Sequence, residues 1–231
     1  MPEVKPQKWY RRRTWTSADQ EDFFKRLAYR RYEKERSEKC RVQAVELCQV
    51  GTPETLQGAL ELSDLWLSLW AGELLTSWVQ SKKGECLYKL GRIDEAAASF
   101  RAALATQREN PLVVSGADLY FGWMVVTHRR DDLYPEVMSI LEEFERLDSG
   151  ATLPNEGYRY AAICAIVADE SHQPDLAERW ARKALELSAQ TYSGFWGHPT
   201  LGVLKAIPDA EIHRRLIQLA RADGQEMIDR A

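Results

Sequence analysis

Apolar residues along the chain recur every three to four positions and almost nowhere alternate, so the pattern predicts helices throughout and no convincing strand. Phe23, Phe24 and Leu27 form a first stripe, which Tyr32 extends. Just ahead of it Thr16 and Ser17 precede Asp19-Gln20-Glu21-Asp22. Ser17 and Gln20 have capping-box spacing, and early carboxylates suit the positive end of a helix. Arg30 to Arg41 is nearly all charged and reads either as a solvated helix face or as the bend between two helices. A second stripe through Val42, Val45 and Leu47 ends at Val50-Gly51-Thr52-Pro53, a stop signal followed by a proline start. Leu56, Ala59, Leu60, Leu62 and Leu65 define the next helix, which carries Trp66 and Trp70.

Helix pairs follow in the same rhythm. Residues near 74–90 and 93–108 are joined by Leu90-Gly91-Arg92, and residues near 112–129 and 133–148 by Arg130-Asp131-Asp132. Residues near 156–169 and 174–190 are joined by Ser171-His172-Gln173-Pro174. A loop from Thr191 to Gly202 precedes a last helix starting near Pro208-Asp209. Connections this short make successive helices antiparallel neighbours. The expectation is an all-α chain of about nine helices, and the alternation of pairs invites a search for repeats.

The segment Ser77 to Pro111 resembles a tetratricopeptide repeat, whose 34-residue unit sets small residues where two helices approach and large ones in the gap. Gly84, Leu87, Leu90 and Gly91 fall in its first helix and turn, and Ala96, Phe100 and Ala103 in its second. Gly91-Arg92-Ile93-Asp94-Glu95-Ala96 is the best single match. The departures are an insertion of about three residues before Pro111 and no aromatic at position 80, which is Gln80. A second match covers Tyr158 to Ser188, with Ala165 in the place of the close-approach glycine and Ala177, Ala181 and Ala184 following. Between them Asp118 to Leu147 fits the helix pair, with Val137, Leu141 and Phe144 at the core positions, but lacks the small residues; residues 38–71 look like a degenerate leading pair. More loosely, Trp9-Tyr10-Arg11, Thr14-Trp15-Thr16 and Ser193-Gly194-Phe195 resemble segments of uncharacterised bacterial repeat proteins.

The resemblance implies one α-solenoid of antiparallel helix pairs over residues 1–231, a right-handed superhelix whose first helices line a concave groove. Residues 1–16 would form an arm, 17–71 N-terminal capping helices, 72–190 the repeat pairs, and 191–231 a loop and C-terminal capping helix. The family's groove positions carry over to Trp78, Ser81, Glu85 and Tyr88 in the first match and to Arg159, Ala162, Ile166 and Asp169 in the second. The implied function is non-catalytic binding of a partner protein or peptide in that groove. Packing of Trp78 and Tyr88 against the preceding pair is the competing explanation of those two aromatics.

Composition narrows the classes. Of 231 residues, 45% are apolar and 29% charged, which excludes wholesale disorder. No apolar run approaches the roughly 20 residues that cross a bilayer, and the polar, basic Met1 to Arg13 has no secretory pattern. Cys40, Cys48, Cys86 and Cys164 are scattered, suit a reducing cytoplasm and read as small core residues. Charge is uneven: residues 1–41 hold thirteen Lys and Arg against seven Asp and Glu, a balance of +6, so with −4 overall residues 42–231 carry −10. The basic, aromatic head Trp9, Tyr10, Arg11, Arg12, Arg13 and Trp15 is therefore the alternative site. Such interleaving can neutralise phosphates and stack on bases. The acidic body argues against a long nucleic acid and for an arm that packs back and caps the fold.

Nothing points to catalysis. His128, His172, His198 and His213 lack metal-ligand spacing to one another or to a cysteine, and there is no glycine-rich phosphate loop, Gly-x-Ser-x-Gly or His-Glu-x-x-His. No cofactor or metal is expected, nor a membrane contact. His213 and His172 read as surface residues, and Phe195 and Trp196 of the loop Tyr192 to Pro199 are expected to fold back on the last repeat or to meet a partner. Self-association through exposed terminal helices and a toxin- or defence-system accessory role stay open alongside the scaffold.

Overall fold

A computed structural model of the chain describes residues 8–147 and 153–221. Among the described residues there are ten α-helices and no strand. The first five are α1 (Ser17–Ala28), α2 (Glu33–Val50), α3 (Pro53–Trp70), α4 (Thr76–Lys89) and α5 (Ile93–Glu109). The others are α6 (Ala117–Thr127), α7 (Tyr134–Leu147), α8 (Pro154–Glu170), α9 (Pro174–Ser188) and α10 (Ala210–Leu219), with a 3₁₀ turn Asp131–Leu133 before α7. The count is ten rather than about nine. The charged stretch after Ala28 breaks at residues 29–32, where Tyr32 takes an extended conformation as the N-cap of α2.

Helix ends follow local hydrogen bonding. Thr16, not Ser17, caps α1: its hydroxyl accepts from the Asp19 amide at 3.2 Å, and the Asp19 carboxylate accepts from the Thr16 amide at 3.0 Å. Thr52 and Thr55 make the same reciprocal pair ahead of α3, with Pro53 at its first position. Asp209 caps α10 through the amides of Glu211 and Ile212. α6 starts at Ala117 rather than near 112, because Gln107 Oε1 accepts from both the amide and the hydroxyl of Ser115 at 2.7 Å and holds that stretch out of the helix. Gly91, at φ +74°, turns the chain between α4 and α5, a backbone region that side-chain-bearing residues rarely adopt. The expected helix end at residue 148 lies outside the described residues.

The chain falls into two compact units, Met1–Tyr120 and Phe121–Ala231, with the division inside α6. In the first, α3 packs against both α2 and α4, α5 packs against α4, α2 also reaches α4, and α1 lies on α2. In the second, α9 packs against α8 and α10, α10 also touches α8, and α7 meets α8. Successive helices thus pack as adjacent pairs, which is compatible with a helical repeat. No described helix is long and apolar enough to cross a membrane.

Small residues set the close approaches. A Cβ on Gly84 would stand 2.6 Å from the Phe100 ring, and Ala96, Phe100 and Ala103 are all fully buried on α5. In the second unit Ala161, Ala165, Ala177, Ala181 and Ala184 are buried, and a Cβ on Gly157 would come within 3.1 Å of Leu187. At the start of the first unit Gly58 of α3 faces Trp15: a Cβ there would lie 2.1 Å from the indole. Trp15 is 7% exposed, contacts Phe23 edge to face at 5.4 Å, and its buried indole N–H has no partner among the described residues. Because packing, not a hydrogen bond of its own, seats the Trp15 ring, Trp15→Ala should cost about 3–5 kcal/mol. Trp15→Phe, which keeps an aromatic ring and sheds the orphan donor, should cost well under half of that. Urea unfolding followed by circular dichroism checks both; equal losses would contradict the view that an aromatic ring packed on Gly58 is what the site requires.

Candidate functional site

Trp78, Ser81, Glu85 and Tyr88 follow one another at steps of three, four and three along α4, which puts them on one face. Trp78, Glu85 and Tyr88 are half-buried; Ser81 is completely buried and its hydroxyl has no partner among the described residues. The structure adds side chains that sequence reasoning missed. The Arg41 guanidinium of α2 lies 5.2 Å from the Trp78 ring centroid and the Lys82 ammonium 5.7 Å from it. Lys82 is also 4.7 Å from the Tyr120 ring centroid and 3.4 Å from the Tyr120 hydroxyl. Glu85 accepts from Lys82 and Lys89, each at 2.8 Å. Lys82 and Lys89 were within reach of sequence analysis, since each stands four residues after Trp78 or Glu85. Arg41 and Tyr120 come from other helices and left no local signal.

Cation–π contacts hold an ammonium or guanidinium in place without cancelling its charge. Arg41, Lys82 and Lys89 put three positive charges around Trp78 and Glu85; the two lysines are paired with the Glu85 carboxylate and Arg41 meets the indole face. Burial opposes the charge on Glu85, but the Lys82 and Lys89 ammoniums and their hydrogen bonds outweigh it and hold the carboxyl below its ordinary value. Burial likewise opposes the ammonium of Lys82, and Glu85 together with Tyr120 carries it above the ordinary lysine value; Lys89 is raised in the same way by Glu85. The cluster is accordingly fully ionised at neutral pH.

The second set fares differently. Ala162 and Ile166 are wholly buried, because α8 is buried without interruption from Ala161 to Ala168 and presents no open apolar face there. Asp169 accepts from Arg215 of α10 at 3.0 Å, and Arg215 also reaches Glu170 at 2.6 Å. Arg159 is half-buried with its guanidinium 6.0 Å from the Trp123 ring. So of the four positions on α8, two sit in the core and a third is engaged by the C-terminal helix.

The arm is committed to the first unit. Arg12 donates to Asp19 at 2.8 Å and to Asp22, and its Nε donates to the Trp9 carbonyl at 3.0 Å. Its backbone exchanges two 2.9 Å hydrogen bonds with the buried Gln43 side chain of α2. Arg11 pairs with Glu46, Lys39 lies 4.3 Å from the Tyr10 ring, and Arg30 lies 5.6 Å from the Trp9 ring. Asp19 is held at a pKa of about 2: burial works against it, and the hydroxyls of Thr16 and Thr14, the Thr16 amide and Arg12 more than compensate. Arg13 is exposed.

The aromatic loop does not fold back: Trp196 is 96% exposed and Phe195 41%. Ser193 closes the loop on itself instead. Its amide donates to the Pro199 carbonyl at 2.8 Å, its hydroxyl donates to the His198 carbonyl at 2.6 Å and accepts from the Phe195 amide at 3.1 Å. With the backbone satisfied locally, the tip projects into solvent. His213 is half-buried rather than at the surface, with Nδ1 3.3 Å from the Tyr158 hydroxyl. All four cysteines are free and buried. Among the described residues no three His, Cys, Asp or Glu side chains converge to hold a metal. Comparison with known proteins returns no matching family model, no matching curated protein and no matching solved structure.

The Glu85 cluster has a definite pH signature. A lowered glutamate contributes stability that is present above its ordinary value of 4.5 and lost as pH falls through the lower folded value. Raised lysines contribute stability that holds below 10.5 and is lost as pH rises through their folded values. Glu85→Gln should therefore cost about 1–3 kcal/mol at pH 7, a gap that closes in acid below the glutamate range. Urea midpoints of the two proteins across that range test this; a gap independent of pH would mean the cost is packing, not charge.

Proposed function

We propose that this chain is a non-catalytic binding scaffold of tetratricopeptide type, a solenoid of antiparallel helix pairs that grips a segment of a partner protein on the face of α4. Adjacent helix pairing and the buried Gly84, Ala96, Phe100 and Ala103 support the repeat assignment. The observation that carries the functional half is the Lys82 ammonium between Trp78 and Tyr120, with Arg41 on the same indole. Those contacts set two cations next to a half-buried tryptophan, and with Lys89 three cations share the Glu85 carboxylate, so the face keeps a net positive charge that suits a segment offering a carboxylate beside an apolar side chain. Side chains held on packed helices need little ordering when a partner docks, so less of the contact energy is lost to entropy. Tryptophan and arginine are also the residue types that most often dominate interface energies.

The alternative, nucleic-acid contact through the basic arm, has less behind it. Arg11 and Arg12 already face Glu46, Asp19 and Asp22, and Trp15 is buried against Gly58, which favours the arm as a cap.

Selection of peptides from a displayed library on the purified full chain, followed by calorimetric titration, tests the scaffold. Selected sequences should be acidic, and Trp78→Ala and Lys82→Glu should each weaken them at least tenfold, about 1.4 kcal/mol, with circular dichroism unchanged. A library that yields no binder, or binders indifferent to both substitutions, would overturn the assignment.

A further inference from the structure

The loop Tyr192 to Pro199 of the second unit leaves Trp196 almost wholly in water, with Tyr192 and Phe195 exposed as well. Covering an aromatic side chain removes about 150–250 Å² from solvent, so this exposure forgoes a large stabilisation. The tip is also held in shape, because Ser193 ties the backbone at Phe195, His198 and Pro199. A side chain on a loop already closed needs little ordering when it enters a partner, and tryptophan is among the types that most often dominate such contacts. From Tyr192 to Pro208 the one Lys, Arg, Asp or Glu is Lys205, so the loop carries little charge to desolvate.

Such a tip calls for an apolar cavity with an acceptor for the indole N–H, and the first unit has one. An opening of about 310 Å³ lies between α1, α2 and α3, lined by Phe24, Leu27, Leu69 and Trp70 with Glu33 and Arg36. Phe24 and Leu69 are 41% and 58% exposed, apolar walls that an inserted ring would cover. Glu33 is exposed, and one of its carboxylate oxygens accepts from the Trp70 indole N–H at 3.2 Å. A carboxylate accepts from several donors, so a second indole can be satisfied in the way the first one is. With one carboxylate and one guanidinium in its lining, the cavity favours neither a cation nor an anion. A neutral ring that carries an N–H suits it.

The net charges of the two units are opposite. Residues 1–120 hold nineteen Lys and Arg against seventeen Asp and Glu, and residues 121–231 twelve against eighteen. The first unit of one copy therefore attracts the second unit of another, which favours encounters of cavity with tip.

We propose that the loop docks on a second copy of this chain: Trp196 of one copy enters the cavity of another, its ring against Phe24, Leu27 and Leu69 and its N–H donating to Glu33. One inserted side chain covers far less than the roughly 800 Å² per partner of a stable complex, so the association is weak, reversible and populated at high protein concentration. The contact joins unlike surfaces, so a copy without the tip still offers a cavity, and a copy without the cavity still offers a tip.

Sedimentation equilibrium of the full chain at rising concentration tests this. The average mass should climb above that of one chain. Trp196→Ser and Leu69→Glu should each raise the dissociation constant at least tenfold, with circular dichroism unchanged because both side chains are exposed. Mixing the two variants should restore association, in complexes of no more than two copies, since each supplies the half that the other lacks. A monomer at every concentration, self-association that either variant leaves intact, or a mixture that stays monomeric would each overturn the proposal.

Discussion

The first unit depends on how closely α4 can lie on α5, and that distance is set by one missing methyl group. At Gly84 a Cβ would meet Phe100 at 2.6 Å. Phe100 has little room to yield, since it is fully buried and stacks on Tyr120 with ring planes 5° apart and centroids 6.4 Å apart. Glycine inside a helix costs about 1 kcal/mol relative to alanine, so its presence here needs an offsetting gain. That gain is the seat for Phe100. The same contact carries Tyr120 to the place where its ring and hydroxyl meet Lys82, so core packing on one side of α4 positions the charged cluster on the other.

Electrostatics explains a second layer of the design. The sequence is lopsided, with +6 on residues 1–41 and −10 beyond. In the structure the basic arm spends much of its charge at home, on Asp19, Asp22 and Glu46. Around Trp78 three cations, Arg41, Lys82 and Lys89, gather about the Glu85 carboxylate, which pairs with both lysines while the indole face holds Arg41.

Much of the fold was legible in the sequence because periodicity and punctuation are local. The breaks at Gly51-Thr52-Pro53, Leu90-Gly91-Arg92 and Pro208-Asp209 mark real helix ends, and Ala96, Phe100, Ala103, Ala177, Ala181 and Ala184 are buried as the repeat resemblance implied. Errors arose where a distant or alternative partner decided the outcome. Thr16 outcompetes Ser17 for the cap because Asp19 returns its hydrogen bond. Gln107 delays α6 from a position eight residues away, and Arg215 claims Asp169 from a helix 46 residues on. Trp196 projects outward because Ser193 satisfies the loop backbone without help from the rest of the chain. The candidate site was half legible: spacing along α4 finds Trp78 and Glu85, while Arg41 and Tyr120 join them only through tertiary packing.

The most direct test of the nesting claim is the sign of one substitution, Gly84→Ala, measured by urea unfolding in the wild-type background and again beside Phe100→Leu. Helix propensity acting alone would make the alanine protein more stable by about 1 kcal/mol. If Gly84 exists to seat Phe100, the alanine protein should instead lose about 1–3 kcal/mol through overpacking, and the loss should disappear or turn into a gain once Phe100 is leucine. A Gly84→Ala protein at least as stable as the original would contradict the account.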